Sequence, residues 1–140
     1  MARNNGFTLI EVLFVLSILS VLVVISAPLH ISVLDKQTEQ RFLETLDMDI
    51  LHLQSLAYNT RDYYRLTFEE NRYFIDKNSA TILERELPEG WQIKTRKLKN
   101  IAFKHTGTIR QPGNLTIKTL SNSYKLTCPL GKGRCYVAKQ

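Results

Sequence analysis

Gly6-Phe7-Thr8-Leu9-Ile10-Glu11-Val12 opens an apolar run that continues to Leu34 and decides how the chain is read. Between Asn4 and Leu34 the only formal charge is Glu11, and the run stops at Asp35-Lys36. About 20 apolar residues cross a bilayer as a helix, so the stretch is long enough to span one. Glu11 is the exception within it. A carboxylate near the start of a membrane helix is costly, about 2.5–3.5 kcal/mol at mid-depth and less near the interface. Such a group calls for a partner. No fixed charge follows until Asp35, and His30 lies too far along the helix to reach. The partner must come from elsewhere, and one candidate is a free amine made by cutting the chain just upstream.

Gly6-Phe7-Thr8-Leu9-Ile10-Glu11, after a short leader containing Arg3, resembles the class III signal of type IV pilins and pseudopilins. The resemblance covers about the first quarter of the chain. It implies that a prepilin peptidase cuts between Gly6 and Phe7 and that the new Phe7 amine is N-methylated. It also implies that Glu11 pairs with the Phe7 amine of a neighbouring subunit in a helical filament. Pro28 falls where that family often bends its helix. Two plainer readings stand beside it. A secretory signal peptide has an apolar core of about 7–15 residues and a small-residue cleavage site, and this run is too long and lacks a clear one. A plain membrane anchor explains the span but not Glu11.

The rest of the chain has its own pattern. The formal net charge is +6, unevenly placed. Asp35–Gly90 holds 12 acidic and 7 basic residues, whereas Trp91–Gln140 holds 11 basic and no acidic ones. Such asymmetry points to an anionic partner for the carboxy-terminal third. Asp35–Gln140 is long enough for one modest domain with its own core. The two cysteines, Cys128 and Cys135, fit a disulfide if this part is exported, and the alternative is a pair of free thiols.

Taken in order, residues 1–6 form a polar leader, which the resemblance implies is cleaved, and Arg3 holds it on the cytoplasmic side. Residues 7–34 form a transmembrane and assembly helix, in which Pro28 removes a backbone donor and kinks the chain. Beyond it Phe42/Leu43, Leu46, Ile50, Leu53 and Leu56/Ala57 recur at helical spacing, the mark of an amphipathic helix. One continuous helix from Phe7 to about Tyr58 follows, roughly 75–80 Å long. Asp47 and Asp49 are expected on its solvated face. After Thr60 the period becomes two. Strands are expected at Tyr64–Phe68, Tyr73–Asp76, Ile82–Leu87, Trp91–Thr95, Leu98–Phe103, Leu115–Leu120, Tyr124–Cys128 and Tyr136–Ala138, with turns rich in Gly, Asn and Pro between them. The fold class is α+β: a long N-terminal helix, half transmembrane and half amphipathic, packed on a small antiparallel β-sheet domain spanning 35–140.

The tail, with a strand pair and then Leu87-Pro88-Glu89-Gly90-Trp91, resembles the minor-pseudopilin H/FimT group of type II secretion. Its short length and basic end are most similar to the minor pseudopilins of Gram-positive competence systems. That resemblance implies a structural subunit of a competence pseudopilus, needed for DNA binding and uptake in transformation. It would sit in the cell membrane as a single-pass protein with the domain outside, and at the cell surface after assembly. Its partners would be other pseudopilin subunits, the prepilin peptidase and the membrane. The alternatives are a minor subunit of a type II secretion system or type IV pilus, and a membrane-anchored binding domain that never polymerises.

No catalytic constellation is visible. His30, His52 and His105 are scattered, zinc sites need three or four converging ligands, and no nucleotide-binding or zincin motif is present. The chain is expected not to be an enzyme and to carry no cofactor or metal. The basic third has two readings. Lys118, Lys125, Lys132 and Arg134, with Lys94, Arg96, Lys97, Lys99, Lys104 and Arg110 nearby in sequence, could track the phosphates of DNA, with Lys132 and Arg134 preferred. Trp91, Tyr124 and Tyr136 could stack on exposed bases, although core packing suits Trp91 better. Otherwise the basic face meets acidic subunits, an anionic wall or solvent.

Overall fold

A computed structural model describes residues 7–96, 98–131 and 133–140, and the side chains of all of these except 26–32. The leader with Gly6, the side chains of Pro28 and His30, and Lys97 and Lys132 lie outside the described set, as does any kink attributed to the Pro28 ring. The chain divides into two compact units, one up to Gln40 and one from Arg41 to Gln140.

The helix α1 runs Leu9–Asn59. Its first part belongs to the N-terminal unit. There Leu9, Ile10 and every described apolar side chain to Ile25 are exposed, so the helix is apolar all round. Such a surface is stable only against lipid or other helices. Ser17 and Ser20 do not break the pattern, because their hydroxyls donate back to the carbonyls of Phe14 (2.7 Å) and Ser17 (2.8 Å). Among the described residues no helix is long and apolar enough to cross a membrane.

In the second unit α1 supplies the stripe Leu46, Ile50, Leu53 and Ala57, all buried. Eight strands follow: β1 Tyr64–Phe68, β2 Arg72–Lys77, β3 Ala80–Glu86, β4 Gln92–Thr95, β5 Asn100–Ile101, β6 Gly113–Lys118, β7 Ser123–Cys128 and β8 Tyr136–Lys139. The α+β class expected from the sequence is the observed one. A single sheet is not. The strands form two four-stranded sheets, ordered β3-β2-β1-β5 and β4-β6-β7-β8, with every pairing antiparallel. The split comes from the segment after β4. Leu98, Ile101, Ala102 and Phe103 are buried and Lys99 is exposed, so burial does not alternate along the segment, and the expected strand Leu98–Phe103 pairs with β1 only at Asn100–Ile101. That short β5 closes the edge beside β1, and β4 pairs with β6 instead.

Two turns set the hairpins. Asn78 and Ser79 both have positive φ, 48° and 77°, as a two-residue hairpin turn between β2 and β3 requires. Gly90 (φ 79°) sits third in the turn closed by Trp91 N–H donating to the Pro88 carbonyl at 3.1 Å. The positive φ is what calls for glycine at this position; a Cβ there would meet only the end of the exposed Leu120 side chain, which can move aside.

The core joins the helix stripe to alternate residues of both sheets: Tyr64, Leu66, Phe68, Tyr73 and Ile75 from one, Ile93, Leu115, Ile117 and Leu126 from the other. Trp91 is buried among them, its ring edge-on to Phe42 at 5.2 Å. Asp47 is exposed as expected, but Asp49 is not: it is buried. Its carboxylate accepts from the Tyr73 hydroxyl at 2.8 Å and from Arg85 Nε at 2.6 Å. The residue leaves the solvated face because β2 and β3 bring it two donors. Burial, and then the neighbouring Asp49, push the Tyr73 hydroxyl far above its ordinary pKa. The Asp49 hydrogen bond likewise raises the Arg85 guanidinium.

Candidate functional site

Two regions carry the residues that the sequence singles out. The first is the start of α1. The Thr8 carbonyl accepts from the amides of Glu11 (3.1 Å) and Val12 (3.2 Å), and Thr8 Oγ1 accepts from the Glu11 amide at 3.4 Å. Thr8 is therefore the N-cap and Glu11 the third helical residue, one half of a capping box. The carboxylate stands in the first turn, where unpaired amides favour negative charge. This is a local reason for the Thr-x-x-Glu spacing that the reading of Glu11 as an unpartnered charge missed. Phe7 is 83% exposed just ahead of it, and Glu11 is exposed as well. The side chains at this end are open to a neighbour.

The second region is the outer face of the sheet β4-β6-β7-β8. Ile93, Leu115, Ile117 and Leu126 point into the core, so the residues between them point out. Register places Lys94 and Lys125 on either side of Thr116 in one row across three strands. At the usual strand spacing their Cα atoms are about 10 Å apart. Lys118 stands two residues further along β6, diagonal to both. Among the described residues none of the ion pairs involves a cation of this sheet, and the sheet contains no acidic residue.

The structure thus brings Lys94, Lys118 and Lys125 of the sequence candidates together on one face. The signal for Lys94 lay in the β4–β6 register, which spacing along the chain does not reveal. Arg134 is not part of this face. It lines a hollow with Asp47, Leu51 and Gln54 of α1. Of the aromatic candidates, Trp91 is buried, Tyr124 packs half-buried against the core, and Tyr136 is exposed in register with Thr127. Cys128 and Cys135 are bonded to each other and buried. Among the described residues no three His, Cys, Asp or Glu side chains converge as a metal site would need.

Residues 1–27 match the family described as the prokaryotic N-terminal methylation motif, and that stretch holds Phe7, Thr8 and Glu11. The chain is pilin-like. Along its length it is also similar to competence protein ComGD of Bacillus subtilis (strain 168), 28% identical over 139 residues, which covers 99% of this chain and 96% of that protein. No solved structure matches. The similarity runs past the signal and covers the residues of both sheets. The comparisons and the α+β architecture together support a minor pseudopilin, a structural subunit.

Proposed function

We propose that the chain is a minor subunit of a competence pseudopilus that takes part in DNA uptake during transformation. The observation that carries this is the conjunction of the N-terminal motif with end-to-end similarity to ComGD. In this account the precursor is anchored in the membrane through residues 7–34, with the 35–140 domain outside. Prepilin peptidase cuts between Gly6 and Phe7 and methylates the Phe7 amine. Glu11 then meets the amine of a neighbouring subunit. The pairing offsets the cost of a carboxylate among apolar helices, because the alternative is an unpaired charge in lipid. The exposed apolar helix surface is covered by lipid before assembly and by other pseudopilin helices after it.

Lys94, Lys118 and Lys125 supply a flat cationic face for the duplex backbone. Contact of this kind is independent of sequence and weakens steeply with salt. The Cys128–Cys135 bridge closes the loop that leads into β8 and holds that edge strand in place.

The test is transformation frequency in a strain lacking only this chain, with wild type reintroduced. Loss of transformation restored by wild type is the expected result. Transformation that persists undiminished in the deletion strain would contradict the competence assignment.

A further inference from the structure

A hollow in the 41–140 unit, lined by none of Lys94, Lys118 and Lys125, sits at the C-terminal end of α1. It is a cleft of about 700 Å³ whose walls include Tyr58, Arg61, Tyr63, Phe103, His105 and Arg110. A second hollow of about 390 Å³ shares Tyr63 and Arg110 with it and adds Lys104. The two hollows share the Tyr63–Arg110 stack as a common wall, and together they are called the trough.

Three features give the trough its chemistry. The first is aromatic surface: Tyr58 is 68% and Tyr63 42% exposed, although both are large rings in a domain with a well-filled core. The second is cationic charge. The Arg110 guanidinium lies 5.2 Å from the Tyr63 ring centroid, and its Nε donates to the Phe103 carbonyl at 3.4 Å, which holds the plane against the ring. Arg61 and Lys104 are exposed, with no acidic partner among the described residues.

The third is the removal of opposing charge. Asp62 is the one acid on the wall of either hollow, and it is engaged by Lys77 at 2.8 Å and by Asn78 at 2.9 Å. These hydrogen bonds lower its pKa. The negative end of α1 is quenched as well. Asn59 Nδ2 donates to the Ser55 carbonyl (2.9 Å), and Thr60 donates to the Leu56 carbonyl through its hydroxyl (2.9 Å) and its amide (3.1 Å).

Exposed rings beside fixed cations are the means by which proteins hold single strands. Bases stack on the aromatic faces, phosphates follow the cations, and arginine adds to the stack. A polyanion without bases would use Arg61, Lys104 and Arg110 but would gain nothing from Tyr58 and Tyr63. We propose that this trough binds single-stranded nucleic acid, with bases on Tyr58 and Tyr63 and phosphates on Arg61, Lys104 and Arg110. The site goes beyond the reading above, since it needs no duplex and none of the lysine-face residues.

The test uses the full chain purified in detergent and fluorescence anisotropy with three labelled probes: a short oligothymidylate, a duplex of equal length, and an abasic phosphodiester of equal length. Tyr58→Ala and Tyr63→Ala each weaken oligothymidylate binding about 5- to 150-fold, the range that loss of one stacked base brings. Both leave duplex binding unchanged. Charge reversal of Lys118 and Lys125 leaves oligothymidylate binding in place. Tyr58 is largely exposed, so its replacement does not open the core, and Trp91 fluorescence verifies the fold of every variant. Equal binding of the oligothymidylate and the abasic probe would overturn the proposal, because the rings would then contribute nothing. So would unchanged oligothymidylate affinity in both tyrosine variants, or failure of the wild type to bind that probe. A Tyr58→Ala chain that binds the probe normally but no longer joins other pseudopilins would reassign the trough to a protein neighbour.

Discussion

Removal of Arg85 should destabilise the 41–140 unit out of proportion to its exposed position. Asp49 Oδ2 accepts from Arg85 Nε at 2.6 Å, Oδ1 accepts from Nη2 at 3.3 Å, and the Tyr73 hydroxyl completes the set at 2.8 Å. Asp49 is 7% exposed, while the Arg85 side chain is 43% exposed. Breaking a fully buried pair by deleting one partner costs about 3–5 kcal/mol. Here one partner reaches water, so Arg85→Ala should cost about 2–3 kcal/mol, mostly from the charge left with a single hydrogen bond. Asp49→Ala should cost about 2 kcal/mol, because it orphans the buried Tyr73 hydroxyl while Arg85 swings free. The double variant should lose little more than Asp49→Ala alone, giving a coupling energy of about 2 kcal/mol. Urea unfolding of the full chain in detergent, followed by the fluorescence of Trp91, measures all three. That ring is the only tryptophan and is packed edge-on to Phe42. A loss below about 0.5 kcal/mol for Arg85→Ala would refute the reasoning, since it is the size of an ordinary surface substitution.

Other outcomes follow from the same geometry. Tyr73→Phe should flatten the alkaline limb of the stability curve. The folded hydroxyl has its pKa raised above the ordinary value of 10.0, so its contribution is intact below pH 10 and is lost as pH rises beyond it, by about 1.4 kcal/mol per unit. Equal alkaline limbs in wild type and variant would contradict this. Cys128→Ser should lower stability by about 2–3 kcal/mol, the value for closing so short a loop, and unchanged unfolding in oxidising buffer would argue against the bridge. Reversing Lys94, Lys118 and Lys125 to Glu should reduce the salt dependence of duplex binding by about 0.9 in log–log slope for each phosphate that is no longer neutralised. An unaltered slope would return that face to solvent.

The local pattern carried much of the fold. Tyr64, Leu66 and Phe68 alternate as a half-buried strand must, and Leu46, Ile50, Leu53 and Ala57 recur as a helix stripe must. Each is a statement about neighbours in sequence, and each matches the burial observed. What the pattern could not carry were pairings between distant residues. Asp49 looked solvated because its two donors are 24 and 36 residues away. The division into two sheets depends on β1 choosing β5, a pairing of two residues that no propensity announces. The lysine face has the same origin: Lys94 joins Lys118 and Lys125 through register, whereas Arg134, close to Lys125 in sequence, lies beside α1. At the N-terminus the difficulty was of another kind. Glu11 stood out as a charge in an apolar run, and that contrast hid its place in the first turn of a helix that Thr8 caps.

The most direct test of assembly through the processed N-terminus is the content of sheared filaments from cells that express wild type or Glu11→Ala. Both proteins should appear in the membrane fraction in similar amounts, cut after Gly6. Only wild type should appear in the filament fraction. Glu11→Ala recovered in filaments at the wild-type level would contradict the account.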